Sequence, residues 1–224
     1  MALVSKRRFS DVLYLLFRGE LPSAEESQLL DTLMVAMISP GPATPATQAA
    51  MLAGVGKTDP LHILPIGLGV LGRVAGAGEI EASMRFLSRS RRKEPYTLAE
   101  QLLAEYQPEH EGDHQIAPGF GSHYGDIDPI ATKLSEHLID LPGCGETLHW
   151  AVQFSKALQP ANEGVLHTGI AAAIFVDFGI KPRAGGGLFQ LLQAPGLLAH
   201  GLEQSNKPLT AMPFLEDEHY VFEE

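Results

Sequence analysis

Ten consecutive residues, Gly169-Ile170-Ala171-Ala172-Ala173-Ile174-Phe175-Val176-Asp177-Phe178, set the tightest limit on the fold. Only Asp177 is charged, so a helix over this stretch is apolar on every side and has to be enclosed by other elements. Gly179 stops it. A chain of 224 residues is long enough to provide that enclosure as one domain, or as a large domain with a smaller lobe. Almost no stretch alternates apolar and polar residues, so the architecture is mainly α-helical.

The rest of the chain supplies helix after helix. Ser10 or Asp11 starts a short buried helix through Phe17, ended by Gly19. Ser23 and Glu26 form a capping box, followed by Leu29, Leu30, Leu33, Met34 and Met37 at three- and four-residue steps. Thr44-Pro45 and Asp59-Pro60 each open a further segment, with proline in the first turn. Residues 66–77 are small and apolar, and Glu79 to Leu87 continues as an amphipathic helix. Thr97 with Glu100 predicts another capping box, and 146–158 is helical. Gly185-Gly186-Gly187 precedes a last helix from Leu188 to Leu202, which Pro195 is expected to kink or restart. Tight small-residue faces at 66–77 and 169–178 are expected to form a subunit interface.

Between these helices lies the loop from Pro118 to Ala131. Its glycines permit backbone angles other residues avoid, and Asp128-Pro129 is an acidic N-cap followed by proline. The loop delivers Ser122, His123, Tyr124 and Asp126 beside a helix N-terminus, which makes it the candidate site for binding or chemistry.

Several other functions are argued against. A formal net charge of −11 opposes a broad nucleic-acid surface. The basic run from Arg85 to Lys93 is accounted for by a solvated helix end, with a phosphate-binding role as the alternative. Cys144 is the single cysteine, so no intrachain disulfide forms, and it suits a small, partly buried thiol. His110-Glu111-Gly112-Asp113-His114 spells H-E-x-x-H, but Gly112, Asp113 and the bracketing Pro108 and Pro118 indicate a loop, so no metal site is expected. Gly67 to Gly72 fits G-x-G-x-x-G without the strand and βαβ context a dinucleotide site needs, so a packed helix is expected. The apolar run from Val12 to Phe17 is too short for a membrane span or signal, so no membrane association and a cytoplasmic location are expected.

Four blocks in order carry a resemblance. They are Tyr14-Leu15-Leu16-Phe17-Arg18-Gly19-Glu20-Leu21-Pro22, Gly119-Phe120-Gly121 with Asp128-Pro129-Ile130-Ala131, Gly179-Ile180, and Ala194-Pro195-Gly196-Leu197-Leu198-Ala199-His200-Gly201-Leu202-Glu203. Together they resemble the citrate synthase and citryl-CoA lyase superfamily, whose members form or cleave a carbon–carbon bond beside a CoA thioester. The resemblance implies an all-α, citrate-synthase-like helical fold over residues 1–224, with a smaller helical lobe at roughly 88–160. It implies a coenzyme A thioester as substrate and no bound cofactor. It also implies a homodimer, or a hetero-oligomer with a related subunit.

The resemblance further implies a carboxylate base, a histidine on the enolate oxygen and a second histidine beside the carbonyl partner. Most of these positions are replaced. Ala75 stands for the first histidine, Ser122 for the second (with His123 one residue on), and Thr168 for the aspartate, with His167 and Glu163 nearby. Gln193 and Ile130 stand for two arginines, while His200 and Glu203 match. The implied catalytic candidates are His123, His167, Ser122 and Glu163. The substrate-binding candidates are Gly119, Phe120, Gly121, Tyr124, Gln193 and His200. Two functions stay open: an acyl-CoA carbon–carbon lyase or synthase with a rebuilt site, or a catalytically degenerate paralogue serving as a structural or regulatory subunit.

Overall fold

The structure is a computed structural model that describes residues 5–73, 76–107, 114–123 and 125–211. It divides into two compact units, Met1–Ile38 with Leu71–Leu192, and Ser39–Val70 with Gln193–Glu224. The stretch 88–160 therefore falls wholly inside the first unit. There its helices and strands share one core with the elements before and after it.

In the first unit, α1 (Phe9–Arg18) packs beside α2 (Ala24–Met37). The capping box forms as the sequence requires: Glu26 N–H donates to Ser23 Oγ at 3.1 Å, and Ser23 N–H to Glu26 Oε2 at 2.7 Å. Next come α5 (Ala77–Ser90) and α6 (Pro95–Glu105), where Glu94 rather than Thr97 is the N-cap, accepting Thr97 N–H at 2.6 Å. The longer glutamate reaches the free N–H groups from one turn further back, and Pro95 fixes the first helical residue. After β1 (His114–Ala117) and β2 (Phe120–Ser122) follow α7 (Pro129–Ile139), α8 (Glu146–Leu158), β3 (Gly164–Val165) and α9 (His167–Asp177). The three strands form an antiparallel sheet in the order β1-β2-β3. Strands this short carry too few residues to show alternation, which is why the sequence pattern concealed them.

The apolar helix α9 is the centre of this unit, with every residue from Thr168 to Phe175 buried. It packs against α5 and α8, so its small faces are used inside the chain and are not open to a partner. Phe86, Phe120, Trp150 and Phe154 form the aromatic part of the core, with Phe120 edge-on to Phe154 at 4.9 Å between ring centroids. Burial of side chains this large contributes about 2–3 kcal/mol each.

The last helix, α10 (Pro182–Ser205), starts six residues earlier than expected and runs through Pro195 unbroken. The triple glycine lies inside it for a packing reason. A Cβ on Gly185 would overlap Met84 and Ile80 of α5, so only glycine lets the two helices approach. The second unit contains α3 (Pro45–Val55), α4 (Pro60–Val70) and the C-terminal part of α10. Gly67 lies within α4, as expected, where an added Cβ would press on Ala50 and Leu197. Lys57 Nζ donates to the Ser205 and Lys207 carbonyls at 2.7 Å each, tying the end of α10 to α3. Among the described residues no helix is long and apolar enough to cross a membrane.

Candidate active site at the three-stranded sheet

The sheet register brings three chemically useful residues onto one rung. His114 pairs with Ser122 across β1 and β2, while Phe120 pairs with Val165 and Gly121 with Gly164 across β2 and β3. Continuing the second register by one residue puts Ser122 opposite Glu163. Directly opposed residues of an antiparallel sheet project from the same face. Ser122 is small, so the two longer side chains meet across it: His114 Nδ1 donates to Glu163 Oε1 at 2.7 Å. With Nδ1 carrying the proton, Nε2 of a neutral His114 is a proton acceptor. Glu163 and Ser122 are only 4% and 1% exposed, and Glu163 Oε2 and Ser122 Oγ have no hydrogen-bond partner. The His114 side chain is 31% exposed and marks where the rung opens to solvent.

A second imidazole–carboxylate pair sits at the N-termini of α7 and α9. Asp128 Oδ1 caps α7, accepting from Ile130 N–H at 2.8 Å and Ala131 N–H at 3.0 Å. Its Oδ2 lies 3.4 Å from Nδ1 of His167, the first residue of α9. The His167 hydrogen bond, aided by those backbone donors against the cost of burial, lowers the Asp128 carboxyl to about 2. The loop between β2 and Asp128 is fastened by Asn162, whose Nδ2 donates to the Gly125 carbonyl at 2.7 Å and to Asp126 Oδ1 at 2.9 Å.

Behind the sheet lies a third carboxylate. Glu79, in the first turn of α5 and 2% exposed, accepts from Gly119 N–H at 2.7 Å and Gln115 Nε2 at 2.6 Å through Oε1. Its Oε2 accepts from the Thr168 hydroxyl at 2.8 Å. Glu79 thus joins the β1–β2 turn to the start of α9. Gly119 has φ of +85°, and a Cβ there would lie 2.6 Å from Gly169 Cα, so the turn rests directly on the helix backbone.

The candidates named from the sequence therefore separate. Ser122 pairs with His114, whose imidazole bonds Glu163 just before β3, and His167 starts the adjoining helix. His123 follows β2 and is half-buried. Gly119, Gly121 and Phe120 do packing work, Phe120 being fully buried in the aromatic cluster and Gly121 lying against the His114 carbonyl. Gln193 is buried with Oε1 unpartnered, and His200 Nε2 lies 3.0 Å from Ser39 Oγ; both belong to the second unit. Tyr124, Ala75, His110 and Glu111 lie outside the described residues. Two site residues went unassigned from the sequence. By sequence His114 falls in a loop motif, and it stands on a strand instead. Glu79 stood three residues into α5 without any motif to single it out.

Elsewhere, burial and the nearby Asp177 push the Cys144 thiol up to about 11, as befits a structural thiol. Among the described residues no group of three or more His, Cys, Asp or Glu is placed to hold a metal ion.

No family model and no curated protein matches the sequence. Solved structures do. Citryl-CoA lyase from Hydrogenobacter thermophilus is similar at 27% identity and a TM-score of 0.78, over 100% of this chain and 86% of that one. ATP citrate lyase from Methanothrix soehngenii, solved with citrate and coenzyme A, aligns at 18% identity and a TM-score of 0.72, over 99% of this chain and 39% of that one. Citrate synthase from Thermotoga maritima MSB8 aligns at 19% identity and a TM-score of 0.69, over 96% of this chain and 58% of that one. The architecture is the citrate-synthase-like helical fold. The likeness to citryl-CoA lyase supports the resemblance to the citrate synthase/citryl-CoA lyase superfamily.

Proposed function

We propose that this protein acts on an acyl-CoA thioester, forming or cleaving a carbon–carbon bond at a site rebuilt on the His114–Glu163 pair. The observation that carries the reading is the 2.7 Å bond between His114 Nδ1 and buried Glu163, in a fold shared with a citryl-CoA lyase. A carboxylate behind an imidazole fixes its tautomer and raises its basicity, which suits removal of a weakly acidic thioester α-proton. His167, at the start of α9, is the second imidazole available to hold the enolate oxygen. His123 is the remaining candidate, and coenzyme A enters as part of the substrate. We assign the protein to the cytoplasm and to a homodimer, or an assembly with a related subunit. The wide exposure of Phe9 and Leu16, at 76% each on one side of α1, supports a partner.

A second reading, the degenerate structural or regulatory subunit, is favoured by Thr168. That residue stands where the superfamily's aspartate is implied, and its hydroxyl is engaged by Glu79. Exchange of acetyl-CoA α-protons with deuterated solvent separates the two. We expect exchange in the wild type, a fall of at least ~100-fold in His114→Ala, and a partial loss in His167→Ala. No exchange above buffer by folded wild type would establish the degenerate reading. Undiminished exchange in His114→Ala, with loss in His123→Ala instead, would move the site to the loop after β2.

A further inference from the structure

Resting on the thioester reading above, we infer that the substrate is a 3-hydroxyacyl thioester whose carbonyl half is uncharged, and that its hydroxyl binds between Glu163 and Ser122. Two atoms on one rung are buried and unpartnered, the acceptor Glu163 Oε2 and the hydroxyl Ser122 Oγ. A ligand hydroxyl satisfies both at once, donating to the carboxylate and accepting from serine. A ligand carboxylate does not, since it has no proton to give Glu163.

Charge points the same way. The carboxylates around the sheet, Glu79, Asp128 and Glu163, are met by amide and hydroxyl donors or by imidazoles, with no lysine or arginine among their described partners. A carboxylate on the substrate's carbonyl half would therefore meet like charge, with no guanidinium or ammonium paired to these groups among the described residues.

The step balances. In the cleavage direction the hydroxyl proton passes to Glu163, and the O–H electrons become the carbonyl π bond. The bond between carbons 2 and 3 breaks, and its electrons form the thioester enolate. The proton on Glu163 returns to carbon 2 through His114, the group that removes it in the reverse direction, leaving an uncharged ketone and an acetyl thioester.

The test uses two thioesters that differ by one carboxylate, 3-hydroxy-3-methylbutyryl-CoA and 3-hydroxy-3-methylglutaryl-CoA. Both are measured with the full chain by calorimetric binding and by release of acetyl-CoA. We expect kcat/KM and affinity to favour the uncharged compound by roughly 100-fold, since like-charge juxtaposition costs several kcal/mol. The folded Ser122→Ala variant should bind both compounds at least ~10-fold more weakly, since both carry the hydroxyl, and unchanged affinity would overturn the placement of that hydroxyl. Equal handling of the two, or preference for the glutaryl compound, overturns the inference while α-proton exchange by wild type keeps the thioester reading intact. Absence of exchange together with absence of cleavage removes both.

Discussion

Replacing Glu79 by alanine removes the acceptor shared by three donors from two different elements. Two of them, Gly119 N–H and the Thr168 hydroxyl, are buried and have no water to turn to. Each buried donor left without a partner costs about 1–3 kcal/mol. The third, Gln115 Nε2, belongs to an exposed residue and rehydrates at little cost. The sum is roughly 2–6 kcal/mol, which in a chain of this size lowers Tm by about 4–24 °C. Glutamine at the same position should behave differently. Its carbonyl oxygen still accepts from Gly119, and its amide donates to the Thr168 oxygen, so only the charge-assisted part is lost, about 1 kcal/mol. Urea unfolding of wild type, Glu79→Ala and Glu79→Gln gives the three stabilities directly. Glu79→Ala within about 0.5 kcal/mol of wild type would refute the idea that this carboxylate holds the turn on the helix.

The Asp128→Ala variant should lose about 1–2 kcal/mol at pH 7, from the α7 cap and from the His167 contact, discounted because both partners are partly exposed. The Asp128 carboxyl is held at about 2, below its ordinary 3.8, so its contribution is full above pH 4 and is lost as pH falls toward 2. The gap between the two unfolding curves should close over that range, and a constant gap would count against the assignment. Gly119→Ala should cost roughly 2–4 kcal/mol in denaturant unfolding, from left-handed strain plus collision with Gly169. Gly125→Ala, with φ +80° but open space around it, should cost only about 1 kcal/mol, so equal losses would show that the collision does not matter. Dialysis against EDTA should leave Tm unchanged, and stoichiometric metal in protein purified without added metal would overturn that expectation.

Helix positions were legible wherever the signal is local. The Ser23–Glu26 box, the Thr44, Asp59 and Asp128 starts and the apolar run at 169–178 all depend on neighbours within one or two turns. Failures came where contacts between distant residues decide. Helix α10 includes Gly185 to Gly187 because α5 needs room at Gly185, a fact nowhere in the local sequence. His114 carries no local signal, because H-E-x-x-H has meaning only at helical spacing, whereas its partner Glu163 lies 49 residues on and is reached across the sheet. Glu79 binds Thr168 from 89 residues away.

These contacts also change what the recognisable motif means. Gly119 and Gly121 persist in a loop whose implied catalytic neighbour is now Ser122, and packing alone accounts for them. A side chain on Gly119 would enter the α9 backbone, and one on Gly121 would enter the His114 carbonyl. Phe120 between them fills the core against Phe154 and Phe86. The motif would therefore survive whether or not chemistry did, and it carries no weight in deciding between enzyme and inactive subunit. Glu163 is different. A carboxylate 4% exposed, with one oxygen spent on an imidazole and the other on nothing, is a stability liability in a purely structural protein. Glu163→Leu with His114→Phe should then leave stability unchanged or raise it by about 1–2 kcal/mol, as apolar replacement of a hydrogen-bonded pair does when both partners are replaced together. Thermal unfolding of the double variant measures this, and a large loss of stability would return the pair to a structural role.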